Sequence, residues 1–273
     1  MVTPERPILR YHGGKWLLAP WILSHFPEHR VYVEPYGGGA SVLLQKPRSY
    51  GEVYNDLDGE IVNLFRVVRD RGPELEKLLR NTPFARDEFL LSYEPADDLV
   101  EQARRTMVRS FMGFGSGAAS GAKTGFRANS NRSGSTPAHD WANYPLNIAP
   151  IMDRLRGVVI ENKDACAVIL QHDTPETLHY IDPPYASETR DKGNDYRHEM
   201  TSEQHRELAA TLRELQGMVI LSGYACPLYD DELYAGWYRV DRQALADGGR
   251  PRVEILWMND ACAEKQKQER LFA

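Results

Sequence analysis

The sequence predicts an α/β fold of the kind found in nucleotide-binding sheets, formed as one large domain or as a domain with an insertion. Two observations lead to this prediction. Residues 31–56 follow the order strand, glycine-rich turn, helix, strand, acid, which is the unit from which nucleotide-binding α/β sheets are built. The chain has 273 residues, of which 42% are hydrophobic and 26% charged, so it can bury a sizeable core.

The glycine-rich turn, residues 34–41, lies between predicted strands at residues 31–33 and 52–54 and leads into a predicted helix through residues 42–44. Small side chains in such a turn allow a cofactor's backbone or sugar to approach the main chain. Asp56 ends the second strand, about 20 residues after the start of the turn, where a carboxylate can accept hydrogen bonds from ribose hydroxyls. An Asp in this position is equally suited to cap a helix.

Predicted helices and strands alternate along the rest of the chain. A capping box at residues 201–204 marks the start of one helix, and two apolar runs around Gly248-Gly249 predict a closing hairpin. The spacing of apolar residues predicts helices at residues 61–69, 73–79, 87–93, 98–111 and 201–215, and strands at residues 158–160, 180–181, 218–221, 238–240 and 253–258.

Residues 113–145 differ from the rest of the chain in being rich in Gly, Ser and Asn, and a long loop of this kind is usually functional or disordered. The overlapping window of residues 102–139 has no Asp or Glu, although the whole chain has a net charge of −6. Phosphate binding depends on where basic groups cluster, so the window predicts a nucleic-acid contact; a solvated basic loop is the alternative. Its basic residues are Arg104, Arg105, Arg109, Lys123, Arg127 and Arg132.

The stretch Asp182-Pro183-Pro184-Tyr185 follows an apolar run at residues 178–181 and indicates specific chemistry. An amino group on a planar ring is a poor nucleophile, because its lone pair is delocalised into the ring. The Asp182 carboxylate and the Pro183 carbonyl could accept both amino hydrogens and direct the lone pair at an incoming methyl group, and Tyr185 offers a flat face to an extruded base. An ordinary turn is the alternative, since Asp-Pro and Pro-Pro commonly end strands.

Two further segments supply candidate cofactor ligands. Asp164 follows the predicted strand at residues 158–160, where it could bind an adenine amino group or be a surface acid. Residues 10–15 form a polar, glycine-hinged segment in which Lys15 could neutralise a cofactor carboxylate. Tyr11 or Tyr36 could lie against a sulfonium cation.

Composition narrows the class of protein. No apolar run approaches membrane-spanning length, and residues 1–10 lack the core of a signal peptide. The widely separated Cys166, Cys226 and Cys262 predict reduced thiols in a cytoplasmic protein. No closely spaced histidine pair accompanies an acid cluster, so no metal site is expected.

Taken in order, these segments resemble the Dam-type adenine-N6 DNA methyltransferases, which use S-adenosylmethionine. The resemblance implies a Rossmann-like, mixed seven-stranded sheet. It further implies a catalytic domain formed by residues 1–70 and 146–273, and an inserted, largely helical and loop region at residues 71–145 that recognises DNA. The segments that carry the resemblance are residues 11–15, 33–36, 55–56, 164, 181–185, 196–201 and 221–224.

The resemblance also implies roles for individual residues. Asp182, Pro183, Pro184 and Tyr185 would hold and orient the target adenine, and Arg10 and Tyr196 join the basic residues of the window as candidate DNA contacts. Tyr11 replaces a family tryptophan and the glycine motif is altered, yet the cofactor pocket should survive both changes. The insert does not match the recognition hairpin of GATC-specific enzymes, so that specificity is not transferred. The expected cofactor ligands are Tyr11, Lys15, Glu34, Pro35, Tyr36, Gly38, Ser41, Asp56, Asp164 and Asp182.

The sequence therefore predicts methyl transfer from S-adenosylmethionine to N6 of adenine in double-stranded DNA. The expected protein is a monomer in the cytoplasm of a bacterium or a phage-infected bacterial cell, with a restriction endonuclease of the same system as a candidate partner. Three alternatives stay open: a cytosine-N4 methyltransferase, a methyltransferase acting on RNA or a glutamine side chain, and a catalytically silent DNA-binding module. Asp rather than Ser before Pro-Pro-Tyr favours adenine, and the basic insert favours DNA.

Overall fold

A seven-stranded mixed sheet organises the chain in this computed structural model, which describes residues 4–115, 117, 121–131, 134–186, 189, 197–245 and 251–272. The strands are β1 (Val31–Glu34), β2 (Gly51–Asn55), β3 (Val158–Glu161), β4 (Thr177–Ile181), β5 (Met218–Gly223), β6 (Tyr238–Leu245) and β7 (Pro251–Met258). Their order across the sheet is β3-β2-β1-β4-β5-β7-β6. This arrangement confirms the predicted Rossmann-like, mixed seven-stranded fold.

Helices flank the sheet. They are α1 (Ala19–Leu23), α2 (Gly59–Arg80), α3 (Arg86–Leu91), α4 (Leu99–Met112), α5 (Pro137–Asn143), α6 (Ile148–Leu155), α7 (Ala165–Gln171), α8 (Ser202–Arg213) and α9 (Asp260–Phe272), with a 3₁₀ turn at Tyr144–Asn147 and a π-helical turn at Leu228–Leu233. No helix among the described residues is long and apolar enough to cross a membrane.

The pairing of the strands brings two loops together at one edge of the sheet. Strands β1 to β5 pair in parallel, and β7 pairs antiparallel with both β5 and β6. Because β1 and β4 are neighbours, the loop after each strand leaves the sheet from adjacent carboxyl ends. From β1 the chain continues to one side of the sheet, through β2 and β3, and then crosses to the other side, to β4 and β5. In open α/β sheets the crevice in which ligands bind lies at the point where the strand order reverses in this way.

The core fills both faces of the sheet. Side chains alternate across a strand, so Tyr180 and Ile181 of β4 belong to different clusters of buried residues. The cluster that contains Tyr180 also takes in α2, which contacts α4 and α6. The cluster that contains Ile181 includes Leu208 of α8 and Trp257 of β7.

Several predicted elements are confirmed. The capping box is present, since the Thr201 side chain accepts from Gln204 N and the Gln204 side chain accepts from the Thr201 main chain. The strands predicted on either side of Gly248-Gly249 pair as the antiparallel β6 and β7, while residues 246–250 between them lie outside the described residues.

The helix predicted through residues 42–44 was wrong. One helical turn forms, in which Leu44 N donates to Ala40 O (2.9 Å) and Lys46 N donates to Val42 O (2.9 Å), and it goes no further. Pro47 follows directly and cannot donate a main-chain hydrogen bond, which stops the turn.

The predicted helices at residues 61–69 and 73–79 are joined in α2, with non-helical dihedral angles at Arg71 (φ −132°, ψ 27°), two residues before Pro73. The predicted domain boundary at residue 70 therefore falls inside a helix. Part of the segment of residues 113–145, which was predicted as a functional or disordered loop, is helical. It contains α5, and Trp141 and Tyr144 are buried there, with Trp141 Nε1 donating to Thr82 O (2.8 Å).

Candidate active site

A cavity lies at the carboxyl ends of β1, β2 and β4 and encloses about 1200 Å³ of empty space, part of it open to solvent. It is bordered by the N-terminal segment, the glycine turn after β1, the start of α7, the residues that follow β4 and residues 197–200. The predicted cofactor ligands that line it are Tyr11, Lys15, Glu34, Pro35, Tyr36, Gly38, Ser41, Asp56, Asp164 and Asp182. The fold thus brings together all the residues that the sequence grouped for cofactor binding.

The glycine turn is packed too closely for side chains. A Cβ atom on Gly37 would lie 2.1 Å from the Tyr54 ring. Gly38 has a φ of +47°, and a Cβ atom there would lie 2.8 Å from the Tyr11 ring. Two constraints, steric and conformational, therefore keep this wall of the cavity bare, so that a ligand can contact the main chain.

Asp56 is held by the main chain of the glycine turn and of the next loop. Its Oδ2 accepts from Gly38 N (2.7 Å) and its Oδ1 accepts from Asp58 N (2.8 Å). Burial raises the pKa of Asp56 to about 6, against the lowering effect of these two hydrogen bonds. A half-buried carboxylate on a cavity wall, with lone pairs remaining on both oxygens, is suited to bind hydroxyl donors of a ligand.

Asp58 also lines the cavity. It is the N-cap of α2, and its Oδ1 accepts from Glu60 N (2.9 Å) and Arg197 Nη1 (3.0 Å). Its Oδ2 is buried and has no hydrogen-bond partner among the residues that the structure describes. Such an atom is costly to bury unless a ligand or water completes its bonding.

Glu34 ends β1 at the floor of the cavity. Its Oε2 accepts from Tyr32 OH (2.6 Å) and from Leu43 N (3.0 Å). Burial raises the pKa of Glu34 to about 8, and the nearby Asp182 carboxylate adds to the shift. Glu34 therefore holds a proton at neutral pH and can donate as well as accept. The neighbouring Pro35 carbonyl accepts from Asn55 Nδ2 (2.9 Å), which ties β1 to β2.

Asp164 also lines the cavity. It is the N-cap of α7, and its Oδ1 accepts from Ala167 N (3.0 Å). Capping fixes the carboxylate at the edge of the cavity and leaves Oδ2 available. The prediction that Asp164 binds an adenine amino group stays a prediction.

Asp182 joins the cavity to a cluster of charged groups. Its Oδ1 accepts from Ser222 Oγ (2.8 Å) and lies 2.9 Å from Lys15 Nζ. Lys15 was predicted to meet a cofactor carboxylate; in this structure its ammonium group is engaged by Asp182 and by Gly13 O (2.9 Å). Pro184 lines the cavity, whereas Pro183 is buried and does not.

Tyr185 lies behind Asp182 and is only 6% exposed. Lys15 Nζ is 4.8 Å from the centroid of its ring, the Tyr224 ring packs edge-on at 4.8 Å, and the hydroxyl donates to Glu254 Oε1. The predicted stacking face is thus covered, and stacking of a base requires Lys15 to move.

Glu254 was not singled out from the sequence; the available signal was a single acid within the apolar run of residues 253–258.

A family model for D12 class N6 adenine-specific DNA methyltransferase matches residues 11–244. The chain belongs to this family. It is 36% identical over 78 residues to the type II methyltransferase M1.LlaDCHI of Lactococcus lactis subsp. cremoris. The aligned stretch covers 28% of this chain and 27% of that protein. It is 28% identical over 109 residues to the DNA adenine methylase of Serratia marcescens, covering 38% and 40%. With type II methyltransferase M.MjaIII of Methanocaldococcus jannaschii it is 28% identical over 94 residues, covering 31% and 32%. The chain thus aligns with less than half the length of these curated relatives.

In this D12 family member, three of the predicted phosphate-binding arginines are committed to internal ion pairs. Arg104 is 7% exposed and contacts Glu101 and Glu88 at 2.7 Å each. Arg109 is 3% exposed, pairs with Glu60 and donates to Ser92 O (3.0 Å). Arg105 donates to Glu101 (2.8 Å) and to the carbonyls of residues 94 and 95. These contacts tie α4 to its surroundings in this structure, and the predicted phosphate contacts of Arg104, Arg105 and Arg109 stay predictions.

The remaining candidate DNA contacts are less enclosed. Arg10 is half-buried, with its main-chain N donating to Ser110 Oγ (2.8 Å), and Arg127 Nη1 donates to Phe111 O (3.0 Å). Lys123 is exposed. Arg132 and Tyr196 lie outside the described residues, so their predicted roles stay predictions.

Proposed function

We propose that this protein transfers a methyl group from S-adenosylmethionine to the exocyclic N6 of an adenine that is flipped out of double-stranded DNA. One observation carries the proposal: the glycine turn after β1 and Asp182 after β4 line the same cavity. Membership of the D12 class family supports adenine and DNA as the substrate.

The cavity fits an adenosyl cofactor by its donor set. Asp56 and the orphaned Oδ2 of Asp58 would accept the ribose hydroxyls, the bare glycine wall would face the sugar, and Asp164 would bind the adenine amino group. When bound, the cofactor supplies an electrophilic methyl group on sulfur. The residues that line the cavity would hold the cofactor, and Asp182 lines the same cavity.

Asp182 accepts one hydrogen of the target amine and the Pro183 carbonyl accepts the other, so that the lone pair is directed away from the ring. Tyr185 supports the base by stacking once its face is exposed. The work of these residues is positioning and electrostatic stabilisation, without a covalent intermediate on the protein. Once it carries the methyl group, the amine is a positively charged ammonium group, which is acidic and loses a proton to water.

We further propose that residues 71–145 form the region that recognises DNA, with Lys123, Arg127 and Arg132 contacting phosphates and Arg10 and Tyr196 lying beside the DNA. The protein acts as a cytoplasmic monomer of a bacterial or phage-infected cell, and a restriction endonuclease of the same system is its candidate partner. The type II names of two relatives support that setting.

The test uses purified protein, labelled S-adenosylmethionine and unmethylated duplex DNA, followed by nucleoside analysis. We expect N6-methyladenine. Asp182→Ala should lower the rate by at least about 10²- to 10³-fold, as expected when a group that orients the reacting atoms is removed, while cofactor affinity stays within a few fold. Asp241→Ala, which removes an exposed carboxylate on β6, is the matched control and should keep wild-type activity.

Each other result would change a defined part of the proposal. Methylcytosine would keep the reaction and replace the base. Label in RNA or protein would replace the substrate. Equal losses of cofactor affinity and rate in Asp182→Ala would mean that residues 182–185 are structural. Absence of label everywhere, with intact cofactor binding, would contradict catalysis altogether.

A further inference from the structure

Lys15 occupies the space between Asp182 and the Tyr185 ring. Its ammonium nitrogen is 2.9 Å from Asp182 Oδ1 and 4.8 Å from the centroid of the ring. An adenine that donates to Asp182 and stacks on Tyr185 would have to lie in this same space. Lys15 therefore has to move before such a base can dock, and a buried ammonium group that loses one carboxylate needs another.

Glu254 is the second carboxylate within reach of Lys15. It lies on β7 at 2% exposure, and its Oε1 is 3.8 Å from Lys15 Nζ. The same oxygen accepts the Tyr185 hydroxyl, so Glu254 contacts both of the groups that the incoming base would disturb. It does not line the cofactor cavity.

We propose that Glu254 is a positioning residue for the target base: it receives the Lys15 ammonium group when Asp182 engages the target amine, and it holds the Tyr185 ring in place by its hydroxyl. This inference rests on the proposed function, because it needs a base to dock at Asp182.

The local charge supports this exchange of partners. The cluster holds one ammonium group and two carboxylates, so Lys15 can shift from one carboxylate to the other without becoming a buried, unpaired charge. Ser222 Oγ continues to donate to Asp182 after Lys15 leaves (2.8 Å in this structure), which keeps that carboxylate oriented. With glutamine at position 254, the group that would receive Lys15 is neutral, so Lys15 would stay at Asp182 and compete with the target amine.

The experiment compares Glu254→Gln, Tyr185→Phe and the double variant with the wild type. The first substitution keeps an oxygen that can accept the Tyr185 hydroxyl and removes the charge, and the second removes the hydroxyl and keeps the ring. The readouts are the single-turnover methylation rate at saturating DNA and cofactor, and the separate dissociation constants for S-adenosylmethionine and for DNA.

The matched control is Glu52→Gln, which neutralises another carboxylate buried to 3% exposure, paired with Lys46 and Arg154 at the opposite edge of the sheet. It should lose stability and keep the wild-type rate per folded molecule. A merely structural role for Glu254 would give the same pattern.

We expect Glu254→Gln to lower the single-turnover rate by about tenfold or more, since small errors in the placement of reacting groups can cost on the order of a hundredfold. Cofactor affinity should change by less than about threefold, because Glu254 lies outside the cofactor cavity. DNA affinity should also be kept, because phosphate contacts dominate it. The double variant should lose less than the product of the two single losses, since both substitutions act on one contact.

A wild-type rate in Glu254→Gln, or losses that multiply in the double variant, would overturn the inference. Should Glu254→Gln fail to fold, Tyr185→Phe decides: a lower rate with unchanged cofactor affinity supports the inference, and a wild-type rate overturns it. A wild-type protein that does not methylate DNA contradicts the proposed function itself, whereas an active wild type with an equally active Glu254→Gln contradicts the inference alone.

Discussion

Two clusters of buried charge lie at opposite edges of the sheet, and they differ in the balance of their signs. At the amino ends of the strands, Glu52 is shared by Lys46 (2.8 Å), Arg154 (2.7 Å) and the more exposed Arg48 (3.8 Å), so three cations hold one carboxylate. At the carboxyl ends, Lys15 is shared by Asp182 (2.9 Å) and Glu254 (3.8 Å), so two carboxylates compete for one cation.

The difference changes the protonation behaviour of the two glutamates. Burial alone would raise the pKa of Glu52, but the hydrogen bonds from Arg154 and Lys46 outweigh it and hold the pKa below its ordinary value. Burial raises the pKa of Glu254, and Lys15 offsets this only in part. An excess of cations thus holds a carboxylate in one arrangement, whereas an excess of carboxylates gives a cation two alternative partners. The first cluster suits a structural role, and the second suits a site that a substrate must enter.

The largest effect is expected at the structural cluster. Glu52→Gln leaves the buried Lys46 and Arg154 without their carboxylate, and breaking a buried ion pair in this way costs about 3–5 kcal/mol. Chemical denaturation should show that loss of unfolding free energy, with methylation per folded molecule unchanged. A loss below about 1 kcal/mol, as is usual for surface pairs, would remove the contrast between the two clusters.

Asp56→Ala addresses the cavity beside the second cluster. Removing a half-buried acceptor of ligand hydroxyls should weaken S-adenosylmethionine binding by on the order of ten- to a hundredfold, about 1–3 kcal/mol. Calorimetric titration measures the affinity directly. Asp98→Ala is a suitable control, because it removes an aspartate whose carboxylate also accepts main-chain hydrogen bonds but does not line the cavity. Unchanged cofactor affinity in Asp56→Ala would sink the assignment of a ribose site.

The sequence was sufficient for the parts of the site that follow directly from strand ends. Asp56 and Asp182 each end a buried strand, and parallel strands bring their carboxyl ends to one edge, so the order of strands and acids along the chain was enough to predict that the two carboxylates converge. Glu254 could not be found in the same way. It lies in the antiparallel strand β7, and its proposed role in the site depends on Lys15, which is more than two hundred residues away in the chain.

The arginines of α4 show a second limit of reading charge from the sequence. The window of residues 102–139 has no acid of its own, which made Arg104 and Arg109 candidates for phosphate binding. Their acidic partners, Glu88 and Glu60, come from earlier in the chain and reach them only through folding. A local excess of charge therefore predicts a binding surface only where the basic side chains remain exposed.

Glu34 provides a test by pH. Its pKa in the folded protein is about 8, above the ordinary 4.5, so between these values the folded state holds a proton that the unfolded state has lost. Stability should therefore fall as pH rises through this window, by at most about 1.4 kcal/mol per pH unit. Glu34→Gln imitates the protonated form and should lack this part of the decline. Denaturation of the cofactor-free protein at pH 5 to 9 measures it, and parallel curves for the two proteins would contradict the assignment.

The smallest effect is expected on the surface, where no cluster holds the charge. Lys123 is exposed, and Lys123→Ala should reduce the slope of log affinity for DNA against log salt by about 0.9, the value for one phosphate contact, with no change in stability. Arg109→Ala should do the reverse, because Arg109 is buried against Glu60: it should lower the unfolding free energy and leave the salt slope of the folded protein unchanged. Titration of duplex DNA at several salt concentrations separates the two. A second outcome is that Arg109→Ala flattens the salt dependence of DNA affinity as Lys123→Ala does. That outcome would mean that an arginine buried in an ion pair can still bind DNA, and it would contradict the distinction between the enclosed and the exposed basic residues.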